Sequence, residues 1–443
     1  MIRQRRNVLY AACLLLALGV RSGADDIVRH VTQTGVRVIV SPETGSGLVS
    51  LVAVVDTSGA EALTNVWIKR VTARALFGGN RNLSAESVAR EIHRVGGNLT
   101  VETLPDCIMV RCVTTPAAFN DAAYILMQAL KGAVFDADTL RRASDSVAAE
   151  MEEEAASPTS VGAAAARSLL FGNHRYGNRL SAPDARSRAA MPAAVQRFYR
   201  TAFVPENTVV AIVGDLDASL AVRAMDNYAV DYDRQPDARA VRLGATPPPW
   251  PEARDAVSAS VRTDTRSAAV IVGMQTGGRG EPDAAATAVL AALIGGGKAS
   301  RMFRSIRDGS GIGYIIGADA NLWRYGGWLA AYVEYDARRL SSGATPVARM
   351  VGDMLDELLS NPPDEAELER ARAFVVGSVR RSRERGVDVA QALAEAELLE
   401  GDWRRADAFI ADVEKVRLDD VMRVAARIMD RRATVTVSGS ADR

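Results

Sequence analysis

The feature that most limits how this chain can fold is an order of strand-like and helix-like segments that occurs twice. In each half, valine-rich runs precede a helix pattern that ends at consecutive glycines, beginning at Gly78 and at Gly295. Each half also closes on a strand-like run, Val209–Leu216 and Ala433–Gly439. A repeat this long indicates duplicated domains rather than a solenoid of short units.

A local match within the helical parts supports this interpretation. Phe135–Ala143 and Pro363–Ala371 carry Asp, Leu and Arg-Ala at equal spacing. Strands followed by runs of helix favour an α+β class. We therefore predict two homologous domains, each a mainly antiparallel sheet with helices packed on one face.

The N-terminus has the pattern of an export signal. Residues 1–6 are basic, and Val8–Val20 is apolar but short for a membrane span. Small residues precede Asp25 where cleavage is expected. We predict a signal peptide over 1–24 and an exported, periplasmic chain with no membrane span after cleavage. A retained anchor is the alternative.

A cluster of prolines predicts a linker between the halves. Residues 235–256 include Pro-Pro-Pro-Trp-Pro, a composition that disfavours helix and sheet. The predicted N-terminal domain therefore covers 25–234, and the C-terminal domain covers 257–443.

The charge balance argues against nucleic acid as a partner. The chain has 54 Lys+Arg and 54 Asp+Glu, so it has no overall basic field for phosphates. Aromatic residues make up only 5% of the chain, which disfavours stacking on bases.

The two cysteines beyond the predicted signal are not expected to form a disulfide. Cys107 and Cys112 lie on one strand-like segment. At about 3.3 Å per residue their Cα atoms are roughly 16 Å apart, whereas a disulfide needs less than about 7 Å. We predict buried thiols.

A glycine-rich turn joins an arginine and a tyrosine, Arg307 and Tyr314. Glycines at 309, 311 and 313 prevent a helix from continuing to the tyrosine, which opens a strand-like run. A guanidinium and a phenol beside open backbone can bind a peptide carbonyl or an oxyanion. On residue type alone, a salt-bridged arginine and a packed tyrosine is the simpler interpretation.

Several motifs, taken in order, point to a known family. They are Phe77–Glu86, Ala89–Leu99, Leu170–Gly177, Phe198–Asp215 and Arg301–Tyr314. In this order the chain resembles the insulinase/pitrilysin metallopeptidases, most closely the short-chain mitochondrial-processing-peptidase-like group. The resemblance implies two homologous α+β domains that enclose a peptide chamber, often with two such chains per assembly.

The zinc motif of that family, H-x-x-E-H, is replaced in this chain. Its two histidines bind the metal and its glutamate is the general base. The corresponding residues are Arg70-Val-Thr-Ala73-Arg74, and a guanidinium offers no lone pair to Zn²⁺. The family's third ligand falls near Glu150, in an acidic run read by itself as a solvated helix face. We predict no metal or cofactor in this chain.

By resemblance, Arg307 and Tyr314 match the family's substrate-binding pair, which contacts the peptide beside the scissile bond. We therefore expect the non-zinc subunit of a heteromeric peptidase, inactive alone. A homologous sister chain would supply the zinc, and unfolded peptides would be the substrates. A catalytically inactive scaffold with a vestigial Arg/Tyr pair is the alternative, and a stand-alone peptide-binding protein is a weaker third hypothesis.

Overall fold

The computed structural model describes residues 27–60, 66–96, 98–177, 183–232, 256–339 and 345–439. The first half contains a six-stranded sheet. Its strands are β1 (Val28–Val31), β2 (Arg37–Pro42), β3 (Val49–Asp56), β4 (Asn98–Thr103), β5 (Cys107–Thr114) and β6 (Thr208–Gly214). They lie in the order β1-β2-β6-β3-β5-β4, and only the β2–β6 pair is parallel.

The second half contains a five-stranded sheet. Its strands are β7 (Val257–Arg262), β8 (Ser267–Thr276), β9 (Ile315–Leu322), β10 (Gly327–Asp336) and β11 (Arg432–Ser438). They lie in the order β7-β11-β8-β10-β9, and only the β7–β11 pair is parallel. With β1 set aside, the two sheets have the same topology. The predicted pair of homologous, mainly antiparallel α+β domains is confirmed.

In both halves, helices lie between the strand pairs at corresponding places, although the numbers of helices among the described residues differ. Those of the first half are α1 (Val66–Ala75), α2 (Ala85–Arg94), α3 (Phe119–Gly132), α4 (Ala137–Ala155), α5 (Pro158–Phe171), α6 (Ala185–Ala202) and α7 (Ala218–Ala229). Those of the second half are α8 (Ala284–Gly295), α9 (Thr345–Ser360), α10 (Glu365–Arg381), α11 (Gly386–Leu399), α12 (Arg405–Glu414) and α13 (Leu418–Ile428). Serine and aspartate caps begin many of them: for α4, the Asp136 carboxylate accepts the Thr139 N–H at 2.7 Å.

Each sheet packs one face against helices of its own half and receives one helix from the other half on its second face. Helix α11 lies across β3 and β6 of the first sheet, and α5 lies across β8 and β11 of the second. Strand β3 illustrates the result. Its Leu51 faces the core of its own half, whereas Val52 and Val54 face α11. Burial on both faces explains why its sequence is continuously apolar rather than alternating.

The α5 crossing depends on a glycine. A Cβ atom at Gly162 would lie 2.6 Å from Cγ1 of Ile271 on β8 and 3.0 Å from Cγ2 of Val437 on β11. The missing side chain lets the helix backbone approach the sheet closely. Glycine in a helix interior otherwise destabilises it by about 0.5–1 kcal/mol relative to alanine.

A buried ionic cluster also joins the halves. Arg324, in the turn between β9 and β10, forms an ion pair with Asp56 at the end of β3, and the two side chains are only 5% and 4% exposed. The Arg324 N–H donates to Asp106 at 2.9 Å. Asp106 also accepts the Tyr176 hydroxyl at 2.7 Å and pairs with Arg175. Burying a charge is costly, and in this cluster each charged group has a partner of opposite charge that offsets the cost.

The predicted signal peptide, residues 1–24, lies outside the described residues, as does nearly all of the predicted linker, 235–256. The domain limits therefore stay a prediction. Cys107 and Cys112 are both free and buried. They point to opposite faces of β5, one toward α11 and one toward α3, so no bridge can form. No helix in the described part of the chain has the length and apolarity needed to cross a membrane.

Candidate functional site

Helix α1 presents the residues that replace the zinc motif. Arg70 and Arg74 are one turn apart and therefore project from the same face. Between them, Ala73 is buried in the core at the position of the general base. That position carries no group able to move a proton.

Both arginines are paired with the acidic run on α4. Nη1 of Arg70 lies 2.7 Å from Oε1 of Glu154 and 3.6 Å from Oε2 of Glu150. In Arg74, Nε and Nη2 lie 2.6 and 2.5 Å from Oε1 of Glu150. The acidic run is therefore not simply a solvated helix face, because two of its carboxylates hold α4 to α1.

This donor set does not fit Zn²⁺. A metal ligand must offer a lone pair, whereas both guanidinium groups offer only N–H donors and carry a permanent charge. Glu150, near which the family resemblance places the third ligand, is already bound by Arg74. In the described ranges no group of three His, Cys, Asp or Glu residues is arranged to hold a metal ion.

The histidines lie apart from this place and from one another. His30 Nε2 is 2.9 Å from the Asp226 carboxylate, and His93 is exposed on α2. His174 accepts the Tyr176 N–H at 3.3 Å. Burial, and next the nearby Arg175 charge, lower the pKa of the His174 imidazole below its ordinary value.

The second candidate site lies in the segment that connects α8 to β9. Residues 301–310 are helical, and their centre, Phe303–Asp308, is a π-helix, a form often found at functional sites. Gly311 and Gly313 follow with φ of 68° and 81°, which side-chain-bearing residues rarely adopt. The predicted break between the arginine and the strand is confirmed, since β9 begins at Ile315.

Arg307 supports this turn and remains open to solvent. Its Nη1 donates to the carbonyl oxygen of Gly313, which precedes Tyr314. Among the described residues, no carboxylate lies within ion-pair distance of Arg307. Its neighbours Arg301 and Arg304, on the same helical segment, are both paired with Glu367. Arg307 is thus an exposed cation with N–H donors available to a ligand.

Tyr314 is half exposed, at 51%, but its hydroxyl is held. It donates to Oε1 of Glu334 at 2.6 Å and lies 2.6 Å from Oγ of Ser267. Because a phenol has one proton, Ser267 is the donor in the second bond. Partial burial, and next the bond to Glu334, raise the pKa of Tyr314 above its ordinary value. The phenol therefore stays protonated and remains a hydrogen-bond donor.

Glu334 connects this site to the first half of the chain. Its Oε2 accepts the hydroxyl of Thr159, on α5, at 2.7 Å. Thr159 is five residues after Glu154, so the Cα atoms of these two residues are at most about 18 Å apart. Helix α5 thus connects Tyr314, through Glu334 and Thr159, to the end of α4, where Glu154 pairs with Arg70.

Sequence reasoning identified Arg70, Arg74, Arg307 and Tyr314 but not the residues that hold them. Glu334 had an available signal, because a carboxylate inside the apolar strand β10 requires a partner. Thr159 and Ser267 had none, since both are common surface residue types brought to the site by the tertiary fold.

Known proteins with similar sequences come from one peptidase family. Residues 191–375 match the family model described as the peptidase M16 inactive domain. An uncharacterized zinc protease of Mycobacterium tuberculosis is 25% identical over 82% of this chain and 82% of its own length. A non-peptidase homolog from Helicobacter pylori is 22% identical over 70% of each chain.

A solved structure shows the same fold. The peptidase M16 inactive domain from Pseudomonas fluorescens superposes with a TM-score of 0.81, covering 94% of this chain and 98% of that chain at 17% identity. The chain thus has the two-domain fold of the insulinase-type M16 proteins. The match to the M16 inactive-domain model and the similarity to zinc-protease homologues are consistent with an insulinase-family chain that lacks the zinc motif.

Proposed function

We propose that this chain is the zinc-free subunit of an exported, two-chain insulinase-type peptidase. It binds unfolded peptides and provides transition-state contacts through Arg307 and Tyr314, while a homologous sister chain with H-x-x-E-H supplies the metal and the general base. The observation that carries the proposal is the state of Arg307, an exposed guanidinium with no carboxylate partner among the described residues, next to a protonated, half-exposed phenol.

The chemistry of the pair fits a developing oxyanion. A guanidinium has five N–H donors, of which Arg307 is seen to use one for its own loop. The Tyr314 hydroxyl can turn from Glu334 to a bound peptide oxygen without losing its proton. Donors placed where charge develops lower the barrier, but they need a nucleophile from elsewhere. Neither chain is therefore efficient alone.

A non-catalytic scaffold is the second candidate. It is favoured by the internal hydrogen bonds of the pair, since Arg307 holds the Gly313 carbonyl and Tyr314 holds Glu334. In that case the two residues only stabilise the turn before β9. The homolog described as a non-peptidase is compatible with this alternative.

Reconstitution separates the two candidates. The chain, its zinc-bearing sister chain and an equimolar mixture are assayed with a quenched fluorescent peptide of about 15 residues and with a folded control protein. We expect cleavage of the peptide only by the mixture and inhibition by a chelator. A stable complex whose activity equals that of the sister chain alone would support the scaffold. Zinc-dependent cleavage by this chain alone would contradict both.

Export is tested separately. N-terminal sequencing of the protein from the periplasmic fraction is expected to begin near Asp25, and a sequence that begins at Met1 would support a retained anchor.

A further inference from the structure

The contact between α1 and α4 carries an inference that does not depend on the proposed function. We propose that Arg70 and Arg74 take the place of a divalent cation. They neutralise the charges of Glu150 and Glu154 and link these residues to α1, so that the two carboxylates keep their positions on α4 without a metal. The site is then an ionic replacement of a metal site rather than a degraded one.

The charges of this quartet support the proposal. Two guanidinium groups carry a formal charge of +2, which is also the charge of one Zn²⁺ ion. The two carboxylates on α4 bring −2, so the quartet is neutral. Two neutral histidines and one Zn²⁺ at the same positions leave the sum unchanged. A change from histidine to arginine at both positions, with loss of the ion, thus conserves the charge of the site.

The geometry supports it as well. Residues 70 and 74 are one turn apart on α1, and residues 150 and 154 are one turn apart on α4. Arg70 binds Glu154 and Arg74 binds Glu150, so the two helices run in opposite directions at this contact. Glu150 lies between both guanidinium groups, at 2.5 Å from Arg74 and 3.6 Å from Arg70. The Glu150 carboxylate thus contacts two guanidinium groups at the place where a metal ligand would contact a single ion.

Without the arginines, the charges of Glu150 and Glu154 would destabilise this part of α4. Glu150 and Glu154 are both less than half exposed, and like charges at i and i+4 of a helix repel each other. An ordinary surface pair does not share these features. Arg90 and Glu86, for comparison, lie on one helix and are largely exposed, and the further bond of Arg90, to Ser87, stays within that helix.

The main test restores the metal. In the variant Arg70→His/Arg74→His, two imidazoles and Glu150 provide three ligands, and water completes a tetrahedral site. We expect one equivalent of Zn²⁺ to remain through gel filtration and desalting, measured by elemental analysis. At a hundredfold excess of Zn²⁺ over Kd, the Tm should exceed that in EDTA by about 3 °C. The wild type should show neither effect.

Two further variants control for nonspecific zinc binding. Glu150→Gln added to the double variant should remove the bound Zn²⁺ and the Tm difference. Arg338→His adds a histidine beside the exposed ion-pair partner Asp336, with no other histidine in that segment of the chain, and should bind no stoichiometric zinc. A soluble double variant that binds no Zn²⁺, or binds it equally well with Glu150→Gln, overturns the proposal.

A second measurement decides the matter where the double variant does not fold. Arg74→Met should lower the Tm by leaving Glu150 without its main partner, and Arg74→Met/Glu150→Gln should recover part of that loss. Arg74→Met alone is thus expected to have a lower Tm than the combination. Strictly additive losses in Tm would overturn the proposal, because they would show that the two residues are not coupled.

Discussion

Nε of Arg74 lies 2.6 Å from Oε1 of Glu150, and this contact joins two residues that are 76 positions apart in the chain. It connects the first helix after β3 to the C-terminal part of α4. The family resemblance places one metal ligand at residue 74 and another near residue 150. The chain has therefore kept a cross-link at this place while changing its chemistry from coordination to ion pairing.

The first prediction concerns Tyr314. In the reconstituted two-chain enzyme, Tyr314→Phe should lower kcat/KM by on the order of 10²-fold, because it removes one donor to the oxyanion. The measurement is peptide cleavage at matched complex concentration, with assembly checked by size-exclusion chromatography. Tyr228→Phe, on α7, is the control and should leave activity unchanged. Full activity of Tyr314→Phe would favour the scaffold.

The second prediction concerns the buried ion pair between the halves. Arg324→Met should lower the free energy of unfolding by about 3–5 kcal/mol, because Asp56 is left buried and uncompensated. Urea unfolding measures the change. Arg338→Met is the matched control: its ion pair with Asp336 is exposed, so the loss should stay below about 1 kcal/mol. Equal effects of the two variants would show that burial of the pair is unimportant.

The third prediction concerns the close crossing of α5 over the second sheet. Gly162→Ala should destabilise the protein by about 1–3 kcal/mol, because the new Cβ would lie 2.6 Å from Ile271. Gly352→Ala, within α9, meets no atom within 4 Å and should stabilise by up to about 1 kcal/mol. The same substitution should thus have opposite signs at the two sites in urea unfolding. Stabilisation by both would contradict the close approach.

The fourth prediction concerns pH. Burial lowers the pKa of His174 in the folded chain, so below about pH 6.5 the unfolded chain binds a proton that the folded chain does not. The stability present above that pH is therefore lost as the pH falls. His174→Asn should flatten this loss between pH 8 and pH 5.5, measured as the free energy of unfolding in urea. His93→Gln, which removes an exposed histidine, should leave the slope unchanged.

The local sequence was sufficient for much of the architecture. The strand-like segment that holds Cys107 and Cys112 is β5, and Gly311 and Gly313 predicted the break before β9. These features depend on neighbours in the chain, namely on side-chain alternation and on backbone conformations that only glycine adopts readily. The first strand, β1, was not predicted, because it has only four residues and its two valines are exposed.

The candidate site was predictable only in part. Arg70, Ala73 and Arg74 were found by their position in a known motif, and Arg307 and Tyr314 by their spacing. Their partners could not be found in this way. The pairing of Arg74 with Glu150 and of Tyr314 with Glu334 depends on side-chain direction and on contacts between distant segments, which no local pattern encodes.

By itself, therefore, the sequence determined that the chain has two related α+β domains and that its zinc-motif positions cannot ligate a metal. Both conclusions follow from residue type and order. Only the tertiary structure decided that α5 and α11 are exchanged between the halves and that Glu150 is bound by Arg74. These depend on which apolar faces remain uncovered once each sheet has formed, and on which charges then meet across the helices that cover them.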